Sequence, residues 1–273
     1  MEYTHILLRY GELFLKGKNR MFFENRLASN INKLIGIKVQ RIQGRLIAPF
    51  FTEHDKLKRV FGLTSYSLAV KTEKDIEMIK SAAVKLAENL QGTFKVETQR
   101  SDKRFPMTSP EINREVGKTM EEKTSLRFAM KDAEYLVRIE INQDGVYLFL
   151  ETISCFGGLP AGVEGKVLVL VEGEESILAG LLMLKRGCFV LPVGFNVFEI
   201  YLLKKYSPLK LEFKKFKNFK ELEEFAVGSG YSILVSGQNY DNYQKYETNL
   251  LVVRPLIAYD DKDILEQLNL FCR

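Results

Sequence analysis

The stretch "KVLVLVEGEESILAG", Lys166 to Gly180, limits what this chain can fold into more than any other part of it. From Val167 to Val171 every residue is apolar, so the strand cannot alternate a wet face with a dry one. Both faces need cover, and a parallel sheet sandwiched between helices supplies it. The run is far shorter than the roughly 18 apolar residues that span a bilayer. A turn and a helix follow, and open α/β sheets bind ligands beyond the carboxyl ends of such strands.

The rest of the last portion, 161–273, alternates in the same manner: "CFVLPVGF", "LKLEFKKF", "NFKELEEFAV", "YSILVSG", "LLVVRPLI" and "DDKDILEQL". Two other portions precede it. Residues 1–65 read as strand "THILLRY", a Gly/Lys-rich turn, and a helix from about Arg20 through "MFFENRLASNINKLI". A hairpin around Gly44, a short helix "DKLKRVF" and a strand "SYSLAVK" complete that portion. The order β-α-β-β-α-β is that of a ferredoxin-like unit. Residues 66–160 open with the amphipathic helix "KDIEMIKSAAVKLAENL", with Ile76, Ile79, Ala83 and Leu86 on one face. Strand "TFKVETQR", the loop "SDKRFPMTSP" and a helix from Ser109, with Pro110 in its first turn, come next. Strands "EYLVRIEI" and "GVYLFLE" then flank the turn "NQDG", and "CFGGLPAGVEG" reads as a linker.

Charge is unevenly spread over these three expected domains. Residues 1–65 hold 12 Lys and Arg against 5 Asp and Glu, whereas 66–160 and 161–273 each hold 14 against 15. A basic front joined to neutral portions suits either a polyanion partner at one end or a well-solvated surface. Three cysteines, Cys155, Cys188 and Cys272, in no motif spacing exclude a disulfide framework and a cysteine-based zinc site. The charged start lacks a signal-peptide profile, so a cytoplasmic location is expected.

The turn after Val171 carries Glu172, Glu174 and Glu175. A phosphate at a helix N-terminus needs open N–H groups, and only Gly173 and Ser176 suit that demand. One like-charge pair at about 4 Å costs roughly 4 kcal/mol at an effective dielectric of 20. A non-binding acidic turn, a weakened nucleotide site and a Mg²⁺-dependent site all remain open at this point. Two basic stretches are candidates for RNA phosphates. The turn "RYGELFLKGKNR" holds Arg9, Lys16, Lys18 and Arg20, and the loop after the second-portion strand holds Arg100, Lys103 and Arg104 beside Phe105. Phe105 either stacks on a base or anchors its loop in the core. Cysteine nucleophilic chemistry finds little support, because His5 and His54 are the only imidazoles available as activators.

"RYGELFLKGKNRMFFENRL" and "GGLPAGVEGKVLVLV", with a helix ending "LLMLKRG", resemble the tRNA 4-thiouridine synthetase family, the thiamine-biosynthesis type of tRNA sulfurtransferase. "DKRFPMTSPEINREVG" resembles a loop of that family's RNA-binding THUMP domain. "LVSGQ" with "NLLVVRPLIAYDDKDIL" resembles the late part of its PP-loop domain. The resemblance implies a ferredoxin-like domain, a THUMP domain and a Rossmann-like PP-loop adenylation domain, in that order. It strengthens Arg9, Lys16, Lys18, Arg20, Lys103, Arg104 and Phe105 as RNA contacts, beside Arg100 from the loop itself, and it implies Gly173, Ser176, Phe195 and Gly237 as remnants of an ATP site. The expected partners are tRNA and a sulfur-donor protein, with homodimerisation open and no membrane. No cofactor is certain, and Mg·ATP, weakly held, is the one the resemblance implies.

The departures are specific. Where the family's loop resembles S-G-G-x-D-S, this chain has "EGEES", one residue shorter. Gly194-Phe195 stands where the family tends to show His-Phe, and "NYDNYQKYE" replaces a glutamine-bearing stretch. The paired cysteines of simpler members are absent, which leaves the catalytic residues unassigned. These changes lead us to expect a relative that keeps the RNA grip with a degenerate ATP site; the alternative is an active ATP-dependent sulfurtransferase.

Overall fold

The computed structural model describes residues 2–11, 19–42 and 44–272. Its elements begin with β1 (His5–Arg9), α1 (Arg20–Ile35), β2 (Gln40–Ile42), β3 (Arg45–Pro49), a 3-10 helix (His54–Arg59) and β4 (Ser65–Thr72). Next come α2 (Ile76–Ala87), β5 (Gly92–Arg100), α3 (Ser109–Lys123), β6 (Leu126–Phe128), β7 (Tyr135–Ile141), β8 (Val146–Phe149) and β9 (Ile153–Ser154). The last portion holds β10 (Lys166–Leu170), α4 (Glu174–Lys185), β11 (Phe189–Gly194), α5 (Tyr201–Tyr206), β12 (Lys214–Lys215), α6 (Phe219–Gly228), β13 (Ile233–Ser236), β14 (Leu251–Val253) and α7 (Asp261–Cys272). No helix among the described residues is long and apolar enough to cross a membrane.

These elements form two compact units. The first comprises Met1–Tyr10, Lys38–Asp55 and Ser65–Ser154. Its strands share one nine-stranded sheet in the order β2-β3-β1-β4-β8-β7-β5-β6, with β9 also paired to β4. The order β2-β3-β1-β4 is ferredoxin-like. β4 continues that sheet into the THUMP-type strands, because its first half pairs with β1 and its last three residues pair with β8. Helices α2 and α3 cover one face, where Ile79, Ala83, Ile112, Val116 and Met120 pack on Phe94, Val96, Val137 and Ile139. Both helices start as their sequences dictate. The Asp75 carboxylate accepts from the Glu77 and Met78 amides, and that of Glu111 accepts from the Thr108 amide.

The other face carries Leu7, Ile47, Ala69, Tyr147 and Phe149, a cluster with no helical member. On this face the Arg45 guanidinium of β3 meets the Glu140 carboxylate of β7 at 3.3 Å. In a flat sheet those strands would lie four spacings apart, roughly 19 Å, beyond the joint reach of the two side chains. The sheet therefore curls with this face inward.

The second unit comprises Gly11–Ile37, Lys56–Thr64 and Cys155–Arg273. Its sheet, β12-β11-β10-β13-β14, is parallel throughout and has β10 at its centre. Val167, Val169 and Val171 face α4, α5 and α7, while Leu168 and Leu170 face α6. The two-sided cover demanded by the apolar run is thus met.

Local readings fail in four places. "LKLEFKKF" supplies only the two residues of β12, and α5 and β6 carry too few residues for a periodic signal. "CFGGLPAGVEG" is a packed strap instead of a loose linker. Phe156 stacks on Phe271 with ring centroids 4.5 Å apart, and the Leu159 and Gly162 amides donate to the carbonyls of Lys185 and Gly187. Gly158 has φ +79°, and a Cβ there would lie 2.3 Å from the Lys185 carbonyl oxygen. Gly158→Ala should therefore lower stability by more than the about 1–2 kcal/mol of a left-handed alanine alone, read as a shifted midpoint in urea unfolding.

Candidate functional site

On the inward-curled face of the first unit, three arginines gather around one carboxylate. Glu140 accepts from Arg9 at 3.2 Å and from two nitrogens of Arg45 at 3.3 Å each. Arg9 also donates to the Ser67 hydroxyl at 2.9 Å and lies 4.8 Å above the Phe149 ring. Burial depresses the Arg9 pKa, with Glu140 opposing and Arg45 and Arg138 adding to the fall. Arg138 forms no ion pair among the described residues; its nearest polar partner is the Thr152 hydroxyl at 3.5 Å. The meeting of Arg9 and Arg45 with Glu140 carried no sequence signal, because β1 and β3 are far from β7 in the chain; Arg138 shares β7 with Glu140.

The basic loop is more self-contained than its composition suggests. Asp102, only 5% exposed, takes a two-pronged contact from Arg104 at 2.9 Å and one from Lys74 at 2.7 Å. Those hydrogen bonds hold its carboxyl well below the usual aspartate range. Arg100 donates to the Phe105 carbonyl at 3.0 Å. Phe105 is 6% exposed and belongs to the core under α2 and α3, so anchoring wins over the expected base stacking. Lys103 is exposed and forms no ion pair among the described residues. In the second unit, Arg20 pairs with Glu24 one helical turn away at 2.7 Å. Lys16 and Lys18 lie outside the described residues.

The second candidate is the mouth of the parallel sheet. β10 is flanked by β11 and β13, and the crevice between β10 and β13 is the switch point where such sheets bind ligands. The structure brings Gly173, Ser176 and Gly237 together there. A Cβ on Gly237 would lie 2.5 Å from the Ser176 amide nitrogen, so only glycine permits this approach. Ser176 is buried and its hydroxyl accepts from the Glu172 amide at 3.2 Å. Phe195 contributes differently, packing on Phe219 at 4.9 Å; Phe219 in turn packs on Tyr246 at 5.4 Å.

Two side chains border the start of α4 at this mouth. The Glu175 carboxylate folds back on Gly173, so that a Cβ at that glycine would lie 2.4 Å from one of its oxygens. Tyr246, from the stretch that replaces the family's glutamines, donates its hydroxyl to Glu172. Burial, followed by that hydrogen bond, raises the Tyr246 pKa. The start of α4 is thus bordered by the carboxylates of Glu172 and Glu175, which oppose the negative charge of a phosphate at that helix end.

Two of the cysteines, Cys155 and Cys188, are the reverse of activated nucleophiles. Burial pushes the Cys155 thiol up to about 12, and burial with Glu164 nearby raises that of buried Cys188. Cys272 is exposed and lines a groove of about 500 Å³ that also includes Gly173, Glu174 and Tyr201. Among the described residues no three His, Cys, Asp or Glu side chains are grouped to hold a metal.

Comparison with known proteins places this geometry among relatives. The ThiI ferredoxin-like domain family matches residues 5–67 and the THUMP domain family matches residues 73–151. A probable tRNA sulfurtransferase of Mycoplasmopsis synoviae is 30% identical, covering 96% of this chain and 83% of that protein. Another from Staphylococcus aureus is 30% identical, covering 97% and 80%. The first alignment runs over 311 positions, more than the 273 residues of this chain, so internal stretches of that relative have no counterpart here. Among solved structures, one from Pyrococcus horikoshii has a TM-score of 0.86 at 26% identity, covering 99% of this chain and 100% of that one. A 4-thiouridine synthetase in complex with RNA and bound ATP has a TM-score of 0.85 at 27% identity, covering 99% and 85%.

The Asp102 contacts give a pH prediction. A carboxylate whose pKa is depressed on folding stabilises the native state above its unfolded pKa, and that contribution fades as pH falls through the folded value. Asp102→Asn should therefore unfold more readily than the parent at neutral pH. The difference should shrink steadily below the ordinary aspartate range, as measured by urea melts at stepped pH.

Proposed function

Because the chain belongs to the tRNA sulfurtransferase family, we propose that it binds tRNA and serves tRNA modification of the 4-thiouridine type, with an ATP site that no longer works efficiently. The observation that carries this reading is the similarity to a tRNA sulfurtransferase over 96% of the chain. The cation-rich front portion supports tRNA as the partner, and the ligands of the structurally similar 4-thiouridine synthetase complex suit the same assignment. Lys103 and Arg138, beside the basic loop and on the arginine-bearing face, have no carboxylate in contact among the described residues, which leaves their charge available to phosphates. Arg9, Arg20 and Arg104 already hold carboxylates and would have to share them.

A second reading, an active ATP-dependent sulfurtransferase making 4-thiouridine, is favoured by one feature. Gly237 still lies against the Ser176 backbone at the start of α4, as a ligand-binding turn requires. On that reading a sulfur-donor protein or Cys272 would deliver sulfur, and ATP-dependent thiolation of tRNA would be detected directly.

tRNA affinity measured across salt tests the main reading. With about four phosphate contacts, affinity should fall about 10²-fold between 50 and 200 mM salt. Lys103→Gln and Arg138→Gln should each weaken binding for every tRNA sequence and flatten the salt slope by about one unit. A salt-independent or undetectable interaction would remove tRNA as the partner.

A further inference from the structure

The stretch 239–247 follows β13 and brings Tyr246 to the ends of β10 and β13, where its hydroxyl meets Glu172 and Ser236. Behind it, buried Asn239 accepts from the Asp241 and Asn242 amides at 3.1 Å each, which turns the chain back on itself. Arg254, just past β14, donates to the Gln244 carbonyl at 3.0 Å and to the Gln238 side chain at 3.0 Å. The same guanidinium lies 4.6 Å from the Tyr243 ring centre and 5.6 Å from that of Tyr246.

The hydroxyls at the crevice form a directed relay. The Gln238 amide donates to the Ser236 hydroxyl at 3.1 Å. Ser236 and Tyr246 are 3.0 Å apart, and Tyr246 gives its only proton to Glu172, so the Ser236 hydroxyl donates to Tyr246. The end of β13 is thereby joined through Tyr246 to the turn that follows β10. The row Phe195, Phe219, Tyr246 seals the side of the crevice that faces α6.

The geometry points to residues 239–247 as a strap that closes the nucleotide mouth from within, with Tyr246 as the residue that excludes a nucleoside triphosphate. This rests on the reading of the mouth as a former ATP site and names what closes it. Exclusion has two parts. The Tyr246 ring occupies the switch-point crevice, and its hydroxyl fixes the Glu172 carboxylate where a phosphate oxygen would need a hydrogen-bond donor. A triphosphate, with or without its divalent cation, has to displace the phenol before it reaches the turn that carries Glu172, Glu174 and Glu175.

Calorimetric titration of the full chain with Mg·ATP tests the assignment, using the parent, Tyr246→Phe and Tyr246→Ala, with tRNA affinity of each as a control for folding. The parent should give no saturable heat at submillimolar Mg·ATP. Losing the hydrogen bond to a charged group should raise affinity about tenfold in Tyr246→Phe, and Tyr246→Ala should gain more. Tyr246→Phe keeps the ring packing and carries the test by itself if the alanine variant does not fold. Saturable submillimolar binding by the parent would overturn the strap, and so would an unchanged affinity in a folded Tyr246→Phe variant. A parent that fails to bind tRNA would count against the proposed function and leave the strap standing.

Discussion

The two-faced burial of β10 is the constraint from which the rest of the second unit follows. Val167, Val169 and Val171 cannot be dry unless α4, α5 and α7 lie on their side, and Leu168 and Leu170 need α6 on the other. A strand in that position is central, so the chain leaves it once toward β11 and returns on its opposite side at β13. Turns 171–176 and 236–238 must then face each other across the switch point. Glycine at 237 is required by that meeting, because a side chain would run into the Ser176 backbone.

What fills the crevice is a matter of charge. Helix α4 starts at Gly173 without a side-chain cap, and Glu172, Glu174 and Glu175 crowd its first turn. Glu175 turns inward over Gly173 and Glu172 is held by a phenol. The same logic in the opposite sense governs the first unit. Arginines pulled onto the inward face of a curled sheet have to share Glu140, and the loop cations Arg104 and Lys74 share Asp102. In both units, charges that look available in a linear reading are partly satisfied from within.

That difference between linear and spatial availability explains which parts of the site were legible. Gly173 and Ser176 could be picked out because a phosphate turn after a strand end favours small residues, whereas Gly237 was implied only by the family resemblance. Phe105 could not be assigned: an aromatic beside basic residues reads equally well as a stacking platform and as an anchor, and only its 6% exposure decides for the anchor. Tyr246 sits in a polar stretch without periodicity, and its role depends on a residue 74 positions earlier in the chain. Arg45 reaches Glu140 through sheet curvature, which no local pattern encodes.

The order of strands and helices, the parallel character of the second sheet and the ferredoxin-like start were determined by the sequence alone, because periodicity, caps and turn residues act over a few positions. The junction of two modules through β4, the packing of the glycine-rich strap and the partners of each charged group were decided only by tertiary structure. Those outcomes depend on which distant segments come within about 3–4 Å of each other, and hydrogen bonds and ion pairs act only at that range.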